Sequence, residues 1–190
     1  MLNSILAKIQ GFLFNPVETF QKSRDDEAGP VFTYFIALLL FDVIMTTLLM
    51  VIGAGNRMYG SMMPGIESPA VFLVVIFVAG LIFTLLCSAW VHLWVWVVGG
   101  RKGIMQTVRA IMYGMTPNLL LGWVPVVGVI FFIWALILEI LGIRELHGIS
   151  TSKAVIAMAI AVIIPLILVI IAAAYFIISP VSAVSPVAVT

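Results

Sequence analysis

In this chain of 190 residues, 64% are apolar and 9% charged, and the mean hydropathy is +1.28. A soluble domain runs nearer half apolar and a quarter charged, so there is too little polar material here to cover a surface facing water; the composition is that of an integral membrane protein. Nine Lys and Arg against eight Asp and Glu leave a net charge of +1, which excludes a nucleic-acid binder steered by an overall basic field. The one cysteine, Cys87, can form neither an internal disulfide nor a thiolate metal cage.

The chain opens with a segment, residues 1–29, that does not read as a secretory signal, because Lys8 and Gln10 interrupt any apolar run and no small-residue cleavage site follows. Leu2, Ile5, Ile9, Phe12 and Leu13 recur at helical spacing, which predicts an amphipathic helix lying on the membrane face, either as an anchor or as a partner-binding element. Asn15-Pro16 should end it and start a second short helix carrying Val17 and Phe20.

Spans follow from stretches poor in charge, since a crossing helix needs about 20 mostly apolar residues for a hydrocarbon core about 30 Å thick. Residues 31–53 form the first, and 69–98, with Ser68-Pro69 as N-cap and N1, form the second. The stretch 104–142 is twice the length one crossing requires and must fold back on itself. Gly122-Trp123-Val124-Pro125 and Gly128 break it into spans 104–121 and 125–142. A last span, 154–178, follows Ser150 as N-cap, and 179–190 is left as a short external tail. The expected fold is all-α, with five transmembrane helices behind an interfacial N-terminal helix. Pro117 and Pro165 lie inside spans, where a kink is tolerated if neighbours satisfy the freed carbonyl. Eight of the nine basic residues fall on one side of this topology and only Arg57 on the other, which places the N-terminus in the cytoplasm and the C-terminus outside.

Charges and polar groups inside the spans are the candidate sites. Asp42, twelfth in its span, is too short to reach an interface and must face protein. Thr46 shares its face, and Gly80, Thr84, Ser88 and His92 form a stripe spaced by four on the second span, so Asp42 is expected to meet Thr84 or Ser88, as a structural hydrogen bond or as part of a proton or cation path. His92 sits among Trp90, Trp94 and Trp96 near Arg101 and Lys102, an aromatic interface belt. A hairpin centred on Val124 would put Arg109 and Glu139 at equal depth as an ion pair. Ser88 and His92 on one helix make no hydrolase, because no orienting acid or oxyanion donor is marked around them. No catalytic residue, cofactor or metal site is expected, for the sequence has no phosphate loop and no paired His at ligand spacing.

Several short motifs, in order along nearly the whole chain, resemble the Yip family, five-span membrane proteins first known as partners of Ypt/Rab GTPases. Asn15-Pro16-Val17-Glu18-Thr19-Phe20 resembles the proline-phenylalanine segment of prokaryotic members, and Asp26-Glu27-Ala28-Gly29-Pro30 is similar to the Asp-Leu-Tyr-Gly-Pro element of eukaryotic ones. Tyr113-Gly114-Met115-Thr116-Pro117 resembles the Tyr-Gly element of the third span, and Gly142 to Ser150, with His147 and Gly148, then Lys153-Ala154, resembles the loop before the last. Glu27-Ala28 in place of Leu-Tyr, and an N-terminal segment of about 30 residues, imply a prokaryotic cell-membrane member. The resemblance implies a non-enzymatic membrane scaffold or adaptor with a membrane-organising or trafficking-like role. Its partners would be the lipid bilayer and another membrane or cytoplasmic protein, met through the N-terminal helix and the two basic connections. The other reading is a small ion, proton or solute transporter built on Asp42, which at this length needs a homo-oligomer or internal repeats, and no convincing repeat is present.

Overall fold

The computed structural model describes residues 2–53 and 68–182, with side chains from residue 3 to residue 175. Arg57 and residues 183–190 of the expected tail lie outside the described residues. Among the described residues every regular element is an α-helix: α1 (Leu2–Phe14), α2 (Pro16–Lys22), α3 (Ala28–Val51), α4 (Pro69–Val97), α5 (Ile104–Gly114), α6 (Thr116–Leu121), α7 (Gly128–His147) and α8 (Thr151–Ser182). Helix α3, helix α4 and residues Thr151–Tyr175 of α8 are long and apolar enough to cross a bilayer. Phe83, Leu86 and Val169 on α4 and α8 are exposed, as suits helices with lipid on one side.

The expected third and fourth spans are not single helices of that kind. The third divides into α5 and α6 at Met115, because Pro117 has no N–H to give and its ring crowds the carbonyl four residues back. That carbonyl, of Tyr113, is instead taken by the Thr116 hydroxyl at 2.5 Å. The fourth becomes α7, which begins at Gly128 and runs past 142 to His147, so that it carries Glu139, Arg144 and Glu145.

Helices α5 and α7 pack against each other through glycine. A Cβ on Gly114 would stand 2.9 Å from the backbone of Glu139, and one on Gly142 would stand 3.1 Å from Cα of Ala110 and 2.8 Å from the Phe20 ring. These facing pairs centre the hairpin near residues 126–127, two to three residues beyond Val124, because Trp123 to Val127 make a turn of their own in which Val126 takes φ 69°. The core holds Phe12 and Phe20 from the N-terminal helices, Tyr34, Phe35 and Val43 from α3, Met112 and Tyr113 from α5, Ile143 and Leu146 from α7 and Ala157 from α8.

The apolar face of α1 turns toward protein rather than toward the membrane plane as expected. Phe12 is fully buried, with its ring stacked on Tyr113 at 4.7 Å and against Phe20 at 4.8 Å, while Ile5 and Ile9 pack on the same core. Lys8 lies on that face too, and in lipid its charge would be unmatched, whereas here it meets an acid.

Candidate functional site

Two polar clusters sit at the end of the bundle where the N-terminal helices pack. The first is built on Asp26, in the link between α2 and α3. Its Oδ2 accepts hydrogen bonds from the Lys8 ammonium and from the Tyr113 hydroxyl, the latter at 2.5 Å, and Lys8 also donates to that hydroxyl at 2.7 Å. Lys8 Nζ stands 4.6 Å from the centre of the Tyr113 ring, so one ammonium serves a carboxylate, a phenol and a π face. The guanidinium of Arg109 donates to the Asp26 backbone carbonyl at 2.5 Å. Behind Tyr113, the Tyr34 hydroxyl and Thr116 Oγ1 lie 2.8 Å apart; with the Thr116 proton given to the Tyr113 carbonyl, Tyr34 is the donor. A groove of about 470 Å³ opens beside the cluster, between Ser4 and Lys8 of α1 and Gly29, Pro30 and Thr33 of α3.

Burial alone would raise the Asp26 carboxyl, but hydrogen bonds from Lys8, Tyr113 and Ser23 and the charge of Lys8 hold it below its ordinary value. A carboxyl lowered in the folded state contributes stability that is complete above its unfolded value of about 4 and is lost as the pH falls through the folded one. The thermal midpoint in detergent should therefore fall between about pH 5 and about pH 2, and Asp26→Asn should flatten that dependence while costing about 2 kcal/mol at neutral pH. An unchanged acid limb in Asp26→Asn would show that the carboxylate does not hold the N-terminal helices.

The second cluster joins α4, α5 and α7. Thr107 Oγ1 lies 2.8 Å from His92 Nδ1 and 2.9 Å from His147 Nε2, and the two imidazole centroids are 5.9 Å apart. One hydroxyl proton can serve only one ring, so the other imidazole must present its N–H to the threonine oxygen. His147 Nδ1 is buried without a hydrogen-bond partner among the described residues, and a Cβ on Gly100 would stand 3.1 Å from it. Gly148 ends α7 in the left-handed region at φ 66°, with its N–H returned to the Arg144 carbonyl at 2.9 Å. A further set of contacts ties α2 to this end of α7: Gln21 and Arg144 both reach the Glu145 carboxylate, at 2.9 and 2.7 Å, and Arg24 donates to the Glu145 carbonyl at 2.7 Å.

The residues singled out in the spans are not brought together. Gly80 packs on Leu39, where a Cβ would stand 3.1 Å from a Leu39 methyl; on antiparallel helices this sets Asp42 level with residue 77 and leaves Thr84 about two turns and Ser88 about three turns away. Ser88 returns its hydroxyl to the Thr84 carbonyl at 2.7 Å, and Thr84 Oγ1 lies 3.8 Å from the Met115 sulfur. Asp42 is half-buried, and Thr46 is buried one turn on. Among the described residues Arg109 and Glu139 form no ion pair. The later hairpin centre moves Glu139 up against Gly114, while Arg109 turns to the Asp26 carbonyl. His92 does join His147, the last residue of α7, through Thr107. Asp26 and Tyr113 meet in the first cluster, with Gly29 and Pro30 lining the groove beside it, while Gly114 packs on α7 and Ser150 caps α8 by accepting the Lys153 N–H at 3.4 Å.

Sequence reasoning missed Lys8, Phe12, Tyr34, Thr107 and Thr116 as parts of these clusters. Lys8 left a signal: with Ile5, Ile9 and Phe12 it shares one helical face, and a lone cation on an apolar face asks for a buried anion. Thr107 left none, since its two partners are 15 residues before it and 40 after.

An all-helical bundle with three helices fit to cross a bilayer, closed at one end by polar clusters that bind its own N-terminal helices, is an integral membrane protein. More narrowly, the chain belongs to the Yip family: the family model described as the Yip1 domain matches residues 11–174. Neither the curated proteins nor the solved structures give a match.

Proposed function

We propose that the protein is a Yip-type membrane scaffold or adaptor whose cytoplasmic face is composed of α1, α2 and the connections after α4 and α7. The observation that carries this reading is the fixed seating of the N-terminal helices. Phe12 and Phe20 are core residues, while on the outward side of the same pair Leu6 and Phe14 are left exposed, Phe14 to 76%. An exposed aromatic on a rigid, polar-rimmed element is the kind of anchor that protein interfaces use. The five-crossing topology belongs to the same reading, with α5–α6 and α7 as a hairpin in the membrane, the N-terminus in the cytoplasm and the cell membrane of a prokaryote as its location. Five of the nine basic residues sit before α3 or in the connection to α5, and Arg144 and Lys153 flank the connection to α8 from the ends of α7 and α8, which supports that orientation.

The transport reading requires a continuous polar path, and Asp42, Thr84, Ser88 and His92 do not supply one. In liposomes carrying the full-length protein, Asp42→Asn should leave proton and cation leak at the lipid background, the same as wild type. A flux above background that Asp42→Asn abolishes would replace the scaffold with a transporter. Phe14→Ser should release a copurifying partner while the thermal midpoint stays unchanged, and retention of that partner would count against docking through α1.

A further inference from the structure

The connections after α4 and α7 meet at one corner, and their cations lean across it. Lys102 Nζ lies over Gly148, 3.2 Å from where a Cβ there would be, and Lys153 Nζ lies over Gly99 in the same way at 3.6 Å. Lys102 thus reaches the loop between α7 and α8, and Lys153, in the first turn of α8, reaches the loop after α4 that carries Lys102. Gly99, Gly103 and Gly148 take φ of 102°, 87° and 66°, a region side chains rarely adopt, and their bareness leaves room for both ammonium groups. Arg101 completes the corner with its guanidinium 4.0 Å from the ring centroid of Trp96.

Among the described residues neither ammonium makes an ion pair or a hydrogen bond to the protein, and no acid stands at the corner. The nearest in sequence, Glu145, is already engaged by Arg144 and Gln21. Cations on facing loops without an anion between them gain a charge-assisted partner when a phosphate joins them. Trp96, Val97 and Ile104 beside the corner are exposed and apolar, and α4 ends here as a helix fit to cross a bilayer. That is the depth at which lipid headgroups lie, with an aromatic side chain at the headgroup level.

We propose that Arg101, Lys102 and Lys153 form a receptor for the phosphate of an anionic phospholipid headgroup, with Trp96 against the glycerol region of the same lipid. Apolar flanks favour a lipid over a soluble anion or an acidic peptide, because the chains of a lipid can cover Val97 and Ile104 while its phosphate meets the lysines. The inference rests on this end facing the cytoplasmic leaflet, as proposed above, and it adds the class of ligand.

The test is native mass spectrometry of the full-length protein in uncharged detergent, titrated with dioleoyl phosphatidylglycerol and, separately, dioleoyl phosphatidylcholine. Wild type should retain phosphatidylglycerol in preference, and Lys102→Gln/Lys153→Gln should weaken that binding by about thirtyfold, the effect of two surface cations on an anionic headgroup. Lys102→Arg/Lys153→Arg should keep the affinity, and Lys22→Gln, which removes an exposed cation elsewhere, should leave it unchanged. All these positions are exposed, so the variants fold as wild type does. Undiminished phosphatidylglycerol binding in the double glutamine variant would overturn the proposal. So would displacement of the lipid by excess inorganic phosphate or by a polyglutamate peptide, which would give the corner to a soluble anion or a protein. A negative result with the Phe14-dependent partner still bound would remove the lipid receptor and leave the adaptor reading intact.

Discussion

Gly114→Val is expected to lower the thermal midpoint by roughly 10 °C, a loss of about 3 kcal/mol, and to cut the yield of monodisperse protein. A Cβ at this position would stand 2.6 Å from Glu139 Cγ and 2.9 Å from both its Cα and its backbone nitrogen. The Glu139 side chain could swing aside, but its backbone could move only if α7 moved. Valine adds two methyl groups beyond that Cβ. Better helix propensity than glycine offsets less than about 1 kcal/mol, so the steric term decides the sign. The hairpin of α5 and α7 is also the surface on which α2 packs, through Phe20 against Gly142, so parting it should loosen the N-terminal helices as well. A midpoint within about 2 °C of wild type, corresponding to less than 1 kcal/mol, would mean that the helices are not packed this closely.

Phe12→Ala should cost about 4 kcal/mol, at the large end of core truncations, because the ring leaves a hole shared by Tyr113, Phe20 and Tyr34 and the three cannot collapse on it together. Its signature differs from that of Gly114→Val. Loss of Phe12 should free α1 while α3, α4 and α8 stay folded, so limited proteolysis should nick the chain after Lys8 or Lys22 before any transmembrane segment is touched. The Lys8–Asp26–Tyr113 network cannot hold α1 alone, since a partly exposed charge cluster contributes only about 1 to 3 kcal/mol. Uniform destabilisation with no early cleavage would place the N-terminal helices in the same cooperative unit as the bundle.

Much of this architecture can be read from residue order. Charge scarcity identifies the membrane class, Asn15-Pro16 separates α1 from α2, Ser68-Pro69 opens α4, Ser150 caps α8, and glycine at 122 and 128 brackets the turn. The break at Met115 was half legible: Pro117 announces a kink, but a full stop depends on the Thr116 hydroxyl being free to take the Tyr113 carbonyl. The Arg109–Glu139 pairing failed on a count of turn residues. A shift of two to three positions is invisible in hydropathy, yet it moves a side chain by more than half a helical turn. The direction in which α1 faces was not legible from its apolar period, because lipid and protein attract the same face; Lys8 within that face was the discriminating residue. The Asp42 expectation failed for a related reason, since helix register comes from packing such as Gly80 on Leu39, which the spacing of polar residues does not encode.

The most direct test of an adaptor face built from seated N-terminal helices is amide hydrogen exchange of the wild-type protein in nanodiscs, followed over residues 5–22. Amides of Ile9 to Phe14 and of Thr19 to Lys22 should exchange at least about a thousandfold more slowly than an unstructured peptide, though faster than those of Ala110 to Gly114, on which Phe12 is stacked. Exchange of the same amides at the rate of an unstructured peptide would contradict it.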